Sequence, residues 1–474
     1  MSYHYPLYSC FPAVAKVGTP TRVAIVPEGT CRFFKEDRDY EIWVGGMRED
    51  LLDYHDPLEP NAPCKVEGGY LWFTFTFENE MMYSVRFREK GGSFTEIFMY
   101  AVREDLYKLR PLKGDLHAHS YYSDGADDVA MTAADYRENG YDFCVLSDHN
   151  RYYTSLMLKE AYKDVQIGLN VINAEEVHTP GSDVHIVHVG GRESVADIYL
   201  HHADVFEAEV ADIIKELPEK VPELYRSRLA KAIWTCRKIH EFGGIAIFPH
   251  PFWKANVYNV SEELCDLLFD ANIFDAFELM GGTPTTASNM QLGLWQAQRL
   301  KGNNIAVVGS SDSHYHAFPE LSDDLFARNF TIAFAEDNTP EGVMNAIKNN
   351  MSVAGELSKY DQGEVRFYGD YRLTSYAHFL YDHYFRLTRL LFAGEGSMMR
   401  RYVNEQLNGA WLSQLKDEGD KFYREFFGQV EKALPSAKRL AYRDKWRKIQ
   451  IEQGPPTNGG CLYLYGGGRN KARE

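Results

Sequence analysis

The chain has 474 residues, of which 45% are hydrophobic and 25% charged, the usual make-up of a globular protein with ample core. At roughly 150 residues per domain, that length corresponds to two to four domains. Fifty-one basic against 68 acidic residues leave a formal net charge of −17, which disfavours a nucleic-acid partner unless a basic groove is hidden inside.

Seven cysteines, at positions 10, 31, 64, 144, 236, 265 and 461, form no CxxC pair and read as reduced thiols. The opening MSYHYPLYSCFPAV lacks a basic stretch followed by an apolar one, so no signal peptide is expected. No apolar run reaches the roughly 18 residues that a membrane helix needs. A cytoplasmic location and no membrane partner are therefore expected.

Residues 1–110 read as a β-rich, sandwich-like accessory domain. Thr21–Val26, Tyr40–Val44, Tyr70–Phe77 and Met82–Arg88 are short, rich in β-branched and aromatic residues, and separated by turn formers. From residue 111 to about 355 the texture changes. Strand candidates are Phe143–Ser147, Val171–Ala174, His185–Gly190, Ile245–Phe248, Phe274–Leu279 and Ile305–Gly309. Helical patterns such as Ala130–Asn139 and Leu224–Glu241 alternate with them, which predicts a parallel α/β arrangement, barrel or open sheet. Asp197–Pro222 reads as an acidic helical insertion. Residues 356–474 read as a helical C-terminal region: Tyr376–Leu391 has near-helical apolar spacing, helix is expected through Lys448, and a flexible tail is expected from Gly454.

Chemistry-bearing residues concentrate in the central region. In order they are Asp115-Leu116-His117-Ala118-His119-Ser120, Ser123-Asp124-Gly125, Ser147-Asp148-His149-Asn150, Glu175-Glu176, His185, Pro249-His250-Pro251 and Ser311-Asp312-Ser313-His314. Each group follows or ends a predicted strand, where loops of a parallel α/β fold converge. On an extended segment, side chains two apart share a face, so His117 converges with His119, and Asp312 with His314. Imidazole and carboxylate together are the usual ligands of Zn²⁺, Mn²⁺ and Fe²⁺. One such histidine pair is weak evidence; two pairs with His149 and His250 at strand ends point to a metal site.

The motif series resembles the PHP (polymerase and histidinol phosphatase) superfamily of metal-dependent hydrolases over residues 111–355, and within it the carbaryl-hydrolase-like branch. The resemblance implies a distorted (β/α)7 barrel and two or three divalent ions of Mn, Fe or Zn. It assigns His117, His119, Glu176 and Asp312 to one ion. A second ion shares Glu176 and adds His185 and His250. A third takes Asp124, His149 and His314. Glu176 is favoured over Glu175 because Val177 fits the apolar position after the family's ligand. His185 is favoured over His188, and His178 is read as a loop histidine. Asp115 and Asp148 are expected to orient ligand imidazoles, the alternative being simple strand-end hydrogen bonds.

The implied activity is hydrolysis of a small ester, a phosphoester first, by hydroxide generated on the clustered ions. His149 and His314, with Asp115 and Asp148, are the candidate catalytic residues. Arg151 and Lys254 are candidate phosphate contacts; Tyr122, Trp253 and Glu278 are further pocket candidates. A carbamate or carboxyl ester substrate is the rival, and a non-catalytic or nucleic-acid-processing module is the third reading. The expected partner is a small, phosphorylated molecule. The flanking regions are candidates for lids, substrate platforms or contacts of a homo-oligomer.

Overall fold

The computed structural model describes residues 7–29, 32–47, 59–254, 257–282, 285–315, 326–357 and 364–453. They divide between two compact units, residues 103–423, and residues 2–102 with 424–474. Cys31, Cys461 and the tail from Gly454 lie outside the described residues. The cysteines at 10, 64, 144, 236 and 265 are free thiols.

In the N-terminal unit the strands are β1 (Tyr8–Phe11), β2 (Val14–Lys16), β3 (Pro20–Pro27), β4 (Tyr40–Gly46), β5 (Cys64–Glu67), β6 (Tyr70–Thr76), β7 (Met81–Glu89) and β8 (Thr95–Val102). They form two four-stranded sheets, β1-β3-β6-β5 and β2-β8-β7-β4. In β7, Tyr83, Val85 and Phe87 are buried while Ser84, Arg86 and Arg88 are not, the period-two pattern of a half-buried strand. The two sheets meet through aromatic edges, with Tyr8 and Phe87 ring centres 5.1 Å apart.

The larger unit starts with α1 (Glu104–Tyr107), β9 (Arg110–Asp115), α2 (Val129–Glu138), β10 (Phe143–Val145), α3 (Tyr153–Ala161), β11 (Asn170–Ile172), β12 (Ala174–His178) and β13 (His185–Gly190). Next come α4 (Ala196–His201), α5 (Ala203–Glu216), α6 (Glu223–Glu241), β14 (Gly244–Phe248), α7 (Glu262–Asp270), β15 (Ala276–Met280), α8 (Thr285–Leu300) and β16 (Ala306–Gly309). It ends with β17 (Asn329–Ala335), α9 (Pro340–Lys348), β18 (Ser352–Leu357), β19 (Val365–Tyr368), α10 (Tyr371–Leu380) and α11 (Arg386–Val403). Two helices follow, α12 (Ala410–Phe426) and α13 (Ala437–Gln453).

These strands form two sheets, β11-β10-β9-β17-β18-β19 and β12-β13-β14-β15-β16. The expected parallel pairing holds for β9 with β10, β10 with β11, β14 with β15 and β15 with β16. It fails elsewhere: β13 runs antiparallel to both β12 and β14, and β17 runs antiparallel to β9. The link from β12 to β13 is too short for a parallel crossover, so a hairpin is the only connection available. Among the described residues no sheet closes on itself, so the distorted (β/α)7 barrel that the resemblance implies is not shown by the sheet pairing. Both sheets nevertheless share one apolar core, with Leu112, Val145 and Ala333 from one and Val187, Ile247 and Val308 from the other.

A second apolar cluster lies under the helices. Phe206, Val210 and Ile213 form the buried stripe of α5, and the Trp234 indole of α6 donates to Glu209 at 2.6 Å. The helix expected at Tyr376–Leu391 is interrupted: a π-helical turn, Tyr381–Phe385, joins α10 to α11. Helix α11 is tied to α2 by Arg137 and Glu395, a 2.6 Å ion pair with both side chains buried. No helix among the described residues is long and apolar enough to cross a membrane.

Candidate metal centre

The chain leaves β9 at Asp115 but stays extended. His119 N–H donates to the Ser313 carbonyl at 2.8 Å, and Asp312 N–H to the His117 carbonyl at 2.9 Å. An isolated parallel bridge pairs Ala118 with Ser313, and another pairs His149 with Glu176. The two-residue spacing therefore does place His117 and His119 on one face, although both lie beyond the strand proper. Three non-glycine residues at strand ends adopt positive φ: Asn150 (55°), His250 (21°) and Asp312 (49°). Such strained positions concentrate at functional sites. Gly125 is required by close approach, since a Cβ there would sit 2.6 Å from the His119 carbonyl oxygen.

Glu176 stands at the centre with no solvent exposure. Its Oε1 lies 3.0 Å from His185 Nδ1, 3.2 Å from His250 Nε2 and 3.3 Å from His178 Nε2. Its Oε2 lies 2.8 Å from His149 Nδ1, 3.3 Å from His117 Nε2 and 3.4 Å from His119 Nε2. Six imidazoles thus surround one carboxylate, three to each oxygen. Asp312 Oδ1 sits 3.3 Å from His117 Nε2 and 3.0 Å from His119 Nε2. At the outer edge, half-exposed Asp124 is 3.2 Å from His149 and 3.3 Å from His314.

These atoms crowd together without satisfying one another. Both Glu176 oxygens, His117 Nε2, His149 Nδ1, His178 Nε2 and His185 Nδ1 are buried and lack a properly aligned hydrogen bond. Buried polar atoms are rarely left so. Converging nitrogen and oxygen atoms with so few aligned hydrogen bonds between them are the arrangement a cation resolves, so the residues fit divalent ions. Five groups have mutually close ligand atoms: His119–Asp124–His149–His314, His117–His119–Glu176, His117–His250–Asp312, His149–Glu176–His178 and Glu176–His185–His250.

Electrostatics give the same picture. Burial opposes the Glu176 charge, but His117 and His185 outweigh it and hold the carboxyl well below its usual range. Burial likewise opposes a charged His149, yet the neighbouring Asp124 and Glu176 carboxylates raise it to about 10. His314 is raised to about 9: burial is opposed there by Asp124 and Asp312. Burial dominates at His185, which falls to about 4.

All nine residues expected as ligands come together: His117, His119, Asp124, His149, Glu176, His185, His250, Asp312 and His314. Glu175 points the other way, accepting from Ser194 Oγ at 2.9 Å and Val195 N–H at 2.6 Å, with His188 3.3 Å away. His178 corrects the expectation: it belongs to the cluster. The signal was present, because His178 stands two residues after Glu176 on β12 and shares its face.

Asp115 and Asp148 follow the second of the two readings open for them, that of strand-end hydrogen bonds. Neither carboxylate meets an imidazole. Asp115 accepts from Tyr136 Oη and from the backbone of His117 and Ser311. Asp148 accepts from Ser120 N–H, Ser120 Oγ and Ser123 Oγ at 2.6–2.7 Å, and Ser123 Oγ lies 3.3 Å from His119 Nδ1. Both fasten the loops that carry the histidines. The carboxylate that does hold an imidazole is Glu278 on β15, fully buried, with Oε2 2.9 Å from His117 Nδ1. Arg151 and Lys254 are exposed, and neither forms an ion pair among the described residues. Arg151 reaches the Tyr153 hydroxyl at 3.4 Å, while Trp253 and Tyr122 are each 41% exposed and so do not belong to the core.

A centre of this composition, a buried carboxylate ringed by imidazoles, has the donor set of a protein able to hold divalent metal. No family model matches the chain. Among curated proteins, it is 33% identical over 190 residues to the DNA polymerase/3′-5′ exonuclease PolX of Bacillus subtilis; the match is 37% of this chain and 30% of that protein. The chain thus matches under a third of that relative's length. Among solved structures, it resembles a two-domain protein of Bacteroides vulgatus containing a predicted PHP-like metal-dependent phosphoesterase, with TM-score 0.36, 16% identity, and coverage of 52% of this chain and 65% of that one. A Bifidobacterium adolescentis protein assigned as a metal-dependent phosphoesterase gives 0.31 and 17%, covering 44% and 89%. An amidohydrolase of Chromobacterium violaceum, solved with sulfate and without metal, gives 0.30 and 17%, covering 43% and 87%. Scores this low do not define a common fold.

Proposed function

We propose that this protein is a metal-dependent hydrolase of the PHP type, acting on a small phosphoester through two or three divalent ions. The observation that carries the reading is Glu176: a fully buried carboxylate with six imidazoles around it and no aligned hydrogen bond to either oxygen. Its environment has little other use, since leaving that many polar atoms unsatisfied is costly unless a cation binds. The two open sheets with their common core are read as a distorted barrel carrying the site at one end.

Divalent ions held there would lower the pKa of water and neutralise charge developing on an ester under attack. The remaining roles fall to the chain itself. Glu278 fixes the His117 ring so that Nε2 faces the centre, and Ser123, held by Asp148, does the same for His119. Of the ligand set, His149 and His314 are among the more exposed imidazoles, suited to holding a proton near a leaving group. Arg151 and Lys254, two and four residues past His149 and His250, are the proposed contacts for an anionic group. The phosphoester preference is supported by the exonuclease activity named for the Bacillus relative, which also cleaves a phosphoester.

The test is hydrolysis of a phosphomonoester, a phosphodiester and an aryl carbamate by protein reloaded with Mn²⁺, Fe²⁺ or Zn²⁺. Turnover of a phosphoester is expected. Turnover of the carbamate alone would move the assignment to the carbaryl-hydrolase-like reading, and no turnover with any metal would remove the enzyme reading.

A further inference from the structure

We infer that His178 is an additional metal ligand, acting with Glu176 and His149 at one position of the cluster. The inference rests on the metal-centre reading above. His178 Nε2 lies 3.3 Å from Glu176 Oε1 and is buried without a hydrogen bond. Its ring stacks on His185 with centres 3.6 Å apart, and on its other neighbour, His149, the centres are 4.2 Å apart. His149, Glu176 and His178 offer ligand atoms that are mutually within 4.8 Å.

The backbone holds His178 there. It is the last residue of β12, paired across the hairpin with His185, so both side chains emerge on the Glu176 face. Its N–H donates to Asn150 Oδ1 at 2.7 Å, and the same oxygen accepts from Tyr199 Oη at 2.6 Å. Asn150 itself adopts φ 55° and immediately follows His149. One strained asparagine therefore sets the positions of His149 and His178 together. A surface histidine with a role in solubility alone would need neither the clamp nor the unpaired inward nitrogen.

The chemical consequence is a preference. Each added imidazole shifts a carboxylate-bearing position away from Mg²⁺ and towards Zn²⁺ or Fe²⁺. Titration of metal-free full-length protein with Zn²⁺ and with Mg²⁺, followed by calorimetry, tests this for wild type, His178→Ala and His178→Gln. Circular dichroism checks that each variant is folded, and the Co²⁺-substituted absorption spectrum reports nitrogen ligation directly. The expected result is loss of one bound equivalent, or weakening by at least about ten-fold, the size of change that even outer partners of metal sites produce. The Co²⁺ spectrum should change in both variants, and selectivity for Zn²⁺ over Mg²⁺ should fall. Unchanged stoichiometry, affinity and spectrum in folded variants would overturn the inference, even if turnover dropped, because His178 would then act on substrate. Wild-type protein that binds no metal would instead remove the function reading itself.

Discussion

At the scale of the residue, the site is a problem of one carboxylate and its neighbours. Glu176→Gln removes the charge that six imidazoles share, while keeping volume. Metal retention should be lost, and turnover should drop on the order of 100-fold or more, given a metal contribution of several kcal/mol at about 1.4 kcal/mol per decade. Elemental analysis and steady-state kinetics check it. Glu278→Gln is milder, because a neutral acceptor still meets His117 Nδ1; metal affinity should weaken by about 10- to 100-fold. Nearly all of this constellation was legible in the sequence, because ligand motifs are local and strand ends collect them. His178 has a weaker signal, its two-residue spacing from Glu176, which marks a ligand only if the segment through His178 is extended. Asp115 and Asp148 stood between two readings in the sequence: a residue beside a ligand on an extended chain points to the other face, where backbone and hydroxyl donors lie closer than any imidazole.

At the scale of the element, the buried strands and the helices over them set the frame. Lys113 on β9 is buried with its ammonium over the Tyr141 and Phe330 rings, and burial, aided by Arg389, lowers its pKa to about 7. An unfolded lysine keeps its proton to about pH 10.4, so between pH 7 and that value the unfolded chain binds more protons. Stability should therefore rise with pH across that window from this group. Chemical denaturation at pH 7 and pH 9 should show Lys113→Met flattening the rise. The Arg137–Glu395 pair makes the opposite kind of statement. Glu395→Ala leaves a buried guanidinium without its partner and should cost about 3–5 kcal/mol, whereas Arg137→Met with Glu395→Met should recover much of it. Thermal melts of the three variants decide this. Strands β17 and β18 escaped the sequence reading because β17 is buried on every residue, so no alternation marks it. Pairing direction escaped it too: the antiparallel β12–β13–β14 run depends on connection geometry, which apolar periodicity does not encode.

At the scale of the whole molecule, the proposed ligands span residues 117 to 314 and come from separate loops and strands of the 103–423 unit. Metal held there would bind that unit folded and barely at all unfolded, so saturation should stabilise it, by about 2.7 kcal/mol at a free concentration 100 times Kd. Calorimetric scans with Zn²⁺ and with chelator should shift one transition and leave that of the unit formed by 2–102 and 424–474 in place. The grouping of residues 424–453 with the N-terminal strands had no signature in the sequence. Contacts such as Ala13 N–H to the Phe426 carbonyl join segments over 400 residues apart and leave no periodic trace.

The central claim is that Glu176 and its imidazoles hold metal. Elemental analysis of the full-length protein, purified without chelator beside Glu176→Gln, addresses it without any assumption about substrate. The account predicts about two or more equivalents of Mn, Fe or Zn in the wild type, from ligand sets that must be deprotonated and preassembled to bind, and a clear loss in the variant. Wild-type protein with less than about one equivalent, still metal-free after incubation with each ion, would contradict it.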